Sequence, residues 1–274
     1  MKLEEIITKC KPNWCPGCGN FGLWAGFKNA AVEKNWDNTN TCLVAGIGCH
    51  GHILNFTKIT SVEGLHGRAI PVATGIKMAN NNLNVFVFTG DGDCLAEGGN
   101  HFIHACRRNH NLTIIIHDNA LFSLTTGQSC PTTPLGEKTK STPFGNLDNP
   151  ISPVTLAIAS GATFVARAFS SDLVKLQEII IKANEHQGLS VIDILQPCTT
   201  LNKDYTNQYF QQNCYQLGAD HDVKNKVEAF KKSLKWGPKQ ISLGIFYQEE
   251  KPSYESQIKT SGEGTVAELI KKYG

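Results

Sequence analysis

Residues 85–128 run VFVFTGDGDCLAEGGNHFIHACRRNHNLTIIIHDNALFSLTTGQ, and the rest of the chain is organised around them. Val85–Phe88 is an apolar run of β-branched and aromatic residues, as expected of a buried strand. Gly90-Asp91-Gly92-Asp93 interrupts it as a turn, just before a helical pattern through Phe102, Ile103, Ala105 and Cys106. Ile114–Ile116 is a second buried-strand candidate and runs into His117-Asp118-Asn119. Both motifs therefore fall at carboxyl ends of strands, where open α/β sheets bind ligands. Asp91 and Asn119 would reach the same sheet edge from positions 28 residues apart.

The elements on either side extend the same alternation. Phe21–Val32 is predicted as a helix broken by Asn38-Thr39-Asn40, Cys42–Ile47 as a strand and Ala69–Ala79 as a helix. Further on, Pro153–Ala159 is predicted helical, Thr163–Ala166 a strand, Ser171–His186 an amphipathic helix capped by Ser171 and stopped by Gly188, and Leu189–Leu195 a strand. Alternating β and α units predict an α/β fold with a doubly wound, mostly parallel sheet. Beyond residue 200 the chain becomes more polar, with a helix at Val223–Leu234, a strand at Ile241–Tyr247 and a helix at Thr265–Tyr273. The expected organisation is a core domain over 1–200 and a C-terminal extension over 201–274 packed on the same domain. Between Ala120 and Asn149 the chain has little periodicity, and a structureless stretch of that length inside a compact domain is usually functional.

Composition narrows the class of function. Lys and Arg number 26 against 24 Asp and Glu, which gives no electrostatic reason to expect nucleic acid or an anionic membrane as partner. The N-terminal MKLEEIITKCKPNW lacks the basic-then-apolar order of a signal peptide, and no apolar run reaches a spanning length, so the expectation is a cytoplasmic protein. Ten cysteines in such a protein point to metal or redox chemistry rather than to a disulfide framework.

Several cysteines sit where chemistry is expected. Cys15-Pro-Gly-Cys18 lies in a rigid loop, as a metal-ligand pair or a redox dithiol; metal is favoured because no strand precedes it, as one does in thioredoxin-type motifs. Cys49 follows Gly46-Ile47-Gly48 at a strand end, where glycines let a cofactor approach the backbone, and Cys198 follows Gln196-Pro197 beyond another strand. Cys42 and Cys106 fall within element patterns and are expected in the core; Cys10 and Cys214 have no assignment. A CxxC with two distant cysteines is equally compatible with structural zinc.

The acidic glycine turn implies a cation. Carboxylate and phosphate repel, so a phosphate at this helix N-terminus requires a divalent ion between them. Asp91 and the Asn119 carbonyl are hard oxygen ligands suited to Mg²⁺, with the backbone of Gly92 and Asp93 facing phosphate oxygens.

Taken together these motifs carry a resemblance. Gly-Asp-Gly followed by a distant Asn is similar to the thiamine diphosphate motif. More narrowly, CPGCG, GIGC, HGRAIPVATGIKMAN, LTTGQ, PTTP, QPC and WGPKQISLGIFYQ, in consistent order from about Trp14 to Tyr254, resemble the β subunit of 2-oxoacid:ferredoxin oxidoreductases. The resemblance implies Mg²⁺ on Asp91, Asn119 and the Leu121 carbonyl, and one [4Fe–4S] cluster on Cys15, Cys18, Cys49 and Cys198. It implies cofactor contacts at Ile47, Gly48, His50, His66, Gly90, Gly92, Asp93, Phe122, Leu124 and Thr125, and a substrate contact at Thr126. It also implies coenzyme A-dependent oxidative decarboxylation of a 2-oxoacid, with electrons passing through the cluster to ferredoxin. No catalytic residue is expected in this chain itself: the activating glutamate belongs to a pyrimidine-binding α subunit, so the chain should be inactive alone.

Departures from the family pattern fall at His50, Cys94, Phe122-Ser123, Thr126 and Cys130. An uncharged Thr126 weakens recognition of a second carboxylate, although a protonated His50 would replace that charge, so the expected substrate is pyruvate or a broad range of 2-oxoacids rather than 2-oxoglutarate. Competing expectations are a non-redox thiamine diphosphate decarboxylase or synthase subunit, and a catalytically silent zinc- or cluster-binding scaffold.

Overall fold

The structure, a computed structural model, describes residues 1–258 and Lys271. In chain order the elements are α1 Asn20–Lys34, β1 Thr41–Ala45, α2 Ile53–Phe56, β2 Ser61–Glu63, α3 Ala69–Ala79, β3 Asn84–Gly90, α4 Gly99–Arg108 and β4 Thr113–Asp118. They continue as α5 Pro153–Ser160, β5 Phe164–Phe169, α6 Leu173–Glu185, β6 Ser190–Leu195, α7 Asn207–Asn213, β7 Cys214–Gln216, α8 Lys226–Ser233 and β8 Ile241–Gln248. The eight strands form one sheet in the order β2-β1-β3-β4-β6-β5-β8-β7, parallel except where β8 runs antiparallel to β5. This is the doubly wound, mostly parallel α/β architecture expected from the alternating pattern.

Period-two alternation in β3 explains why both faces are covered. Phe86 and Phe88 point into a core shared with Leu23 and Phe27 of α1 and Leu176 and Ile180 of α6. Val85 and Val87 point the other way, towards Ala73 of α3, Phe102 of α4 and Ile158 of α5. Each such fully buried side chain contributes about 1.5–3 kcal/mol of burial free energy. The chain leaves β1 outward to β2 and returns to β3 on the other side of β1. That reversal is the topological switch point at which such sheets hold ligands.

Several boundaries differ from those read off the sequence. Gly46 and Ile47 lie beyond the end of β1, and Cys49 opens a short 3-10 turn. The cap of α6 is Asp172, not Ser171, because the Asp172 carboxylate accepts the Lys175 N–H at 3.2 Å; the helix closes at His186, ahead of Gly188. Helix α8 starts only at Lys226, where Asn225 caps it. Helix α1 stops at Asn35, which takes a left-handed conformation, before Asn38-Thr39-Asn40 is reached. The helix expected over Thr265–Tyr273 lies outside the described residues, Lys271 apart. Among the described residues, no helix is long and apolar enough to cross a membrane.

Candidate functional site

The loops after β1, β3 and β4 meet in a cleft at the carboxyl edge of the sheet. Among its lining residues are Ile47, Gly48, Cys49, His50, His66 and Gly90, together with Asp91, Gly92, Asp93, Asn119, Leu121, Phe122, Leu124 and Thr125. Every residue expected to bind the cofactor or Mg²⁺ thus faces one space. Thr126 is outside that lining. It is exposed, and its hydroxyl accepts a 2.7 Å hydrogen bond from Lys140 Nζ.

Asp91 is 2% exposed, and its hydrogen bonds converge on one oxygen. Oδ2 accepts from Ala120 N at 2.8 Å, Thr132 Oγ1 at 2.5 Å and Cys130 Sγ at 3.3 Å. Asn119 is fixed at both ends of its amide. Nδ2 donates to Gln196 Oε1 at 3.0 Å, and Oδ1 accepts from Ser123 Oγ at 2.7 Å. Ala120 has φ +60°, an uncommon left-handed conformation for a residue with a Cβ, and it turns the chain sharply into Leu121. A carboxylate, an amide carbonyl and a main-chain carbonyl at one edge form a hard-oxygen donor set, which fits Mg²⁺.

Asp91 and Gly92 are already helical, and a π-helical turn at Asp93–Glu97 leads into α4. The expected glycine turn is therefore the first turn of a helix, which keeps the backbone N–H groups pointed at the cleft. Glycine is required at 92 because a Cβ there would sit 2.3 Å from the Phe122 ring.

Asp93 ties three loops together. It accepts Gly67 N–H at 2.7 Å, Thr89 Oγ1 at 2.6 Å and Ile47 N–H at 3.2 Å, and His66 Nδ1 lies 2.8 Å from its Oδ1. Burial alone would raise its carboxyl, but His50 and the hydrogen bonds from Thr89 and Gly67 outweigh burial and hold it below the usual carboxylate range.

Three participants lie in stretches the sequence singles out, His117-Asp118-Asn119 and Gln196-Pro197-Cys198, but have no role assigned to them there. His117 Nδ1 donates to Asn20 Oδ1 at 2.8 Å, while its buried Nε2 has no partner among the described residues. Burial and then neighbouring His50 push its pKa well below the ordinary value, so a neutral imidazole lines the cleft. Behind the cleft, burial followed by the charges of Asp193 and Asp91 drives the Asp118 carboxyl far above its usual range, which makes it the protonated member of that acidic group. Gln196 is the third. It accepts from Asn119 and donates through Nε2 to Cys18 Sγ at 3.3 Å, so a single side chain spans the oxygen-rich cleft and the cysteine loop.

That loop is assembled from three distant segments. Gly19 N–H donates to Pro197 O at 3.0 Å, Thr199 Oγ1 to Pro16 O at 2.9 Å and Trp14 Nε1 to Cys49 O at 2.7 Å. Burial pushes the Cys18 thiol up to about 12, and the nearby sulfurs of Cys198, Cys49 and Cys15 add to the rise. Burial and then Cys198 and Cys15 push Cys49 to about 11. Packed thiols of this kind become thiolates only beside a positive centre, and that fits an iron–sulfur cluster. Among the described residues, no three His, Cys, Asp or Glu side chains are placed to share one metal ion.

Of the other cysteines, Cys42 and Cys106 are buried in the core as expected. Cys94 is buried there too, on the core side of the π-helical turn to which it belongs and away from the cleft lining, whereas Cys130 touches Asp91 directly. Cys10 is exposed and Cys214 half-buried.

Comparison with known proteins agrees with this geometry. Residues 46–194 match the family described as thiamine pyrophosphate enzyme, C-terminal TPP binding domain, and residues 198–263 match the C-terminal family of the pyruvate ferredoxin oxidoreductase beta subunit. The chain is 44% identical over 281 aligned residues to the 2-oxoacid:ferredoxin oxidoreductase subunit beta of Sulfolobus sp, covering 96% of this chain and 92% of the relative. It is 46% identical over 198 residues to the 2-oxoglutarate synthase subunit KorB of Archaeoglobus fulgidus, covering 72% and 74% respectively. A solved 2-oxoglutarate:ferredoxin oxidoreductase from Magnetococcus marinus, with 2-oxoglutarate, coenzyme A and succinyl-CoA bound, superposes with a TM-score of 0.91 at 32% identity, covering 99% of this chain and 90% of that one.

Proposed function

The chain belongs to the β subunits of the 2-oxoacid:ferredoxin oxidoreductases, and on that footing we propose that it holds thiamine diphosphate, Mg²⁺ and one [4Fe–4S] cluster and completes its active site with an α subunit. The observation that carries the proposal is the Asn119–Gln196–Cys18 bridge, which joins the oxygen ligands of the cleft to the thiols of the loop through one side chain.

In this assignment Asp91, Asn119 and the Leu121 carbonyl hold Mg²⁺, and the Gly92 and Asp93 amides face the diphosphate. Ile47, Gly48, His50, Gly90, Phe122, Leu124 and Thr125 form the remaining wall. Cys15, Cys18, Cys49 and Cys198 hold the cluster. When bound, thiamine diphosphate supplies the electron sink for decarboxylating a 2-oxoacid and the cluster a one-electron acceptor. The chain's own residues position and insulate. Thr132 and Cys130 fix the Asp91 carboxylate, Asp93 locks His66 and the two glycine loops, and neutral His117 keeps a second positive charge out of the cleft. Coenzyme A accepts the acyl group and ferredoxin the electrons.

The proposed substrate is a broad range of 2-oxoacids. Thr126 has no charge of its own, which suits pyruvate. Lys140 nevertheless brings an ammonium to the same point, which gives a second carboxylate a partner.

Anaerobically purified chain should show broad blue-end absorbance with stoichiometric iron and sulfide; a colourless zinc protein would overturn the cluster assignment. Mixed with an α-type partner, coenzyme A and a one-electron acceptor, it should oxidise 2-oxoacids. Turnover by the chain alone would refute the division of the site between two polypeptides.

A further inference from the structure

A second cavity, of about 300 Å³, lies behind the Asp118–Ala120 segment, between the sheet and α5. Its inner wall holds Arg167, which heads the fully buried side chains by volume. Arg167 lies two residues beyond Val165 on the same face of β5 and so faces the layer of α5 and α8, where the Phe246 and Trp236 rings flank its guanidinium at 5.5 and 5.2 Å. Taking a guanidinium out of water costs several kcal/mol unless its donors are satisfied. Here only Nε is paired, to Asp193 Oδ2 at 2.8 Å. Nη1 and Nη2 are both buried without a partner among the described residues.

Two parallel N–H donors on a fixed plane match the two oxygens of a carboxylate. The rest of the wall is mostly apolar, with Leu195, Phe210 and Trp236 prominent, and the Thr132, Thr155 and Ser233 hydroxyls and the Asp118 carboxyl lie among them. Asp193 already offsets part of the arginine's charge, which limits the site to a single negative charge. Exposed Ile151, Leu234 and Trp236 belong to the same lining and give it an apolar mouth at the surface.

We propose that this cavity is a binding site for a small organic monocarboxylate with a compact apolar body, its carboxylate paired with Nη1 and Nη2 of Arg167. The site is separate from the cleft assigned to the cofactor, and its lining shares with that cleft only the Asp118–Ala120 region, through Asn119.

Calorimetric titration of the full chain with phenylacetate tests the proposal, with neutral phenylacetamide as the isosteric control. Saturable binding of phenylacetate at millimolar concentration or tighter is expected, at least about tenfold tighter than the amide. Arg167→Met should abolish it. Because that change strands Asp193 and can unfold the chain, Ser233→Leu is the second variant; it fills the cavity with the ion pair intact and should also abolish binding. Equal binding of acid and amide, no binding of either, or unchanged phenylacetate binding in Ser233→Leu would overturn the proposal.

Discussion

The Lys140 ammonium donates a 2.7 Å hydrogen bond to the Thr126 hydroxyl, and the Lys140 N–H reaches the Gly127 carbonyl at 3.2 Å, so the long loop after β4 folds back on its own beginning. A cation absent from position 126 is thereby restored from position 140. Removing it with Lys140→Ala should lower kcat/KM for 2-oxoglutarate about tenfold, the scale of one charge-assisted hydrogen bond. Pyruvate should change by less than about twofold on the same scale. Equal losses for both substrates, measured in the reconstituted enzyme, would show that Lys140 merely holds the loop.

Asp91→Asn should weaken Mg²⁺ and thiamine diphosphate binding severely while leaving cluster absorbance intact, since Asp91 is held by Ala120, Thr132 and Cys130 and by none of Cys15, Cys18, Cys49 and Cys198. Thr132→Val keeps the carboxylate but removes its 2.5 Å hydrogen bond, and a milder loss of cofactor affinity, of about 1–2 kcal/mol, is expected. Equilibrium dialysis against thiamine diphosphate at fixed Mg²⁺ reads both. Undiminished binding in Asp91→Asn would remove the carboxylate from the Mg²⁺ site.

Gln196→Leu breaks both halves of the bridge between Asn119 and Cys18. Hydrogen bonds to cluster sulfurs raise the reduction potential, so the variant's cluster should titrate at a more negative potential than the wild type, with iron content unchanged. The Asn119 amide also loses its partner, and thiamine diphosphate affinity should fall modestly. A potential identical to wild type would confine Gln196 to a packing role.

Far from the cleft, Glu255 is held by His110 Nδ1 at 2.6 Å and by the Asn111 N–H at 3.0 Å. Burial would raise its carboxyl, but His110 and the Asn111 hydrogen bond outweigh that and lower it. A depressed folded-state pKa stabilises the fold above the unfolded glutamate value of about 4.3 and loses that contribution as pH falls through the folded value. Glu255→Gln should therefore cost about 1–3 kcal/mol near neutral pH, with the gap to wild type shrinking on acidification below about pH 4. Unfolding midpoints followed by circular dichroism across that range give the comparison, and a gap that widens with acid would reverse the sign.

Much of the architecture was written locally. The Val-Phe alternation of β3 and the apolar run of β4 specify strands buried on both faces, because side-chain direction repeats every two residues and needs no distant information. The same holds for the Gly-Asp-Gly start of the helix, the CxxC loop and the positions of Asp91, Asn119, Cys49 and Cys198 at strand ends. Capping was less legible: Ser171 and Asp172 are both good caps, and only the backbone path into α6 selects the second.

What the tertiary structure alone decided are the contacts between residues remote in sequence. Gln196 meets Asn119 and Cys18 because β6 lies directly beside β4, with the cysteine loop folded over their ends. Arg167 lies in sequence just past the strand expected over Thr163–Ala166, and it becomes a buried guanidinium with free donors only because β5 is flanked by β6 and β8 under α5 and α8. Lys140 reaches Thr126 through an irregular loop with no period to read. Local propensity and side-chain periodicity act over a few residues and therefore appear in the sequence. Strand order and loop return bring together groups as much as 183 residues apart, as with Thr199 and Pro16, and those pairings arise only when the whole sheet has formed.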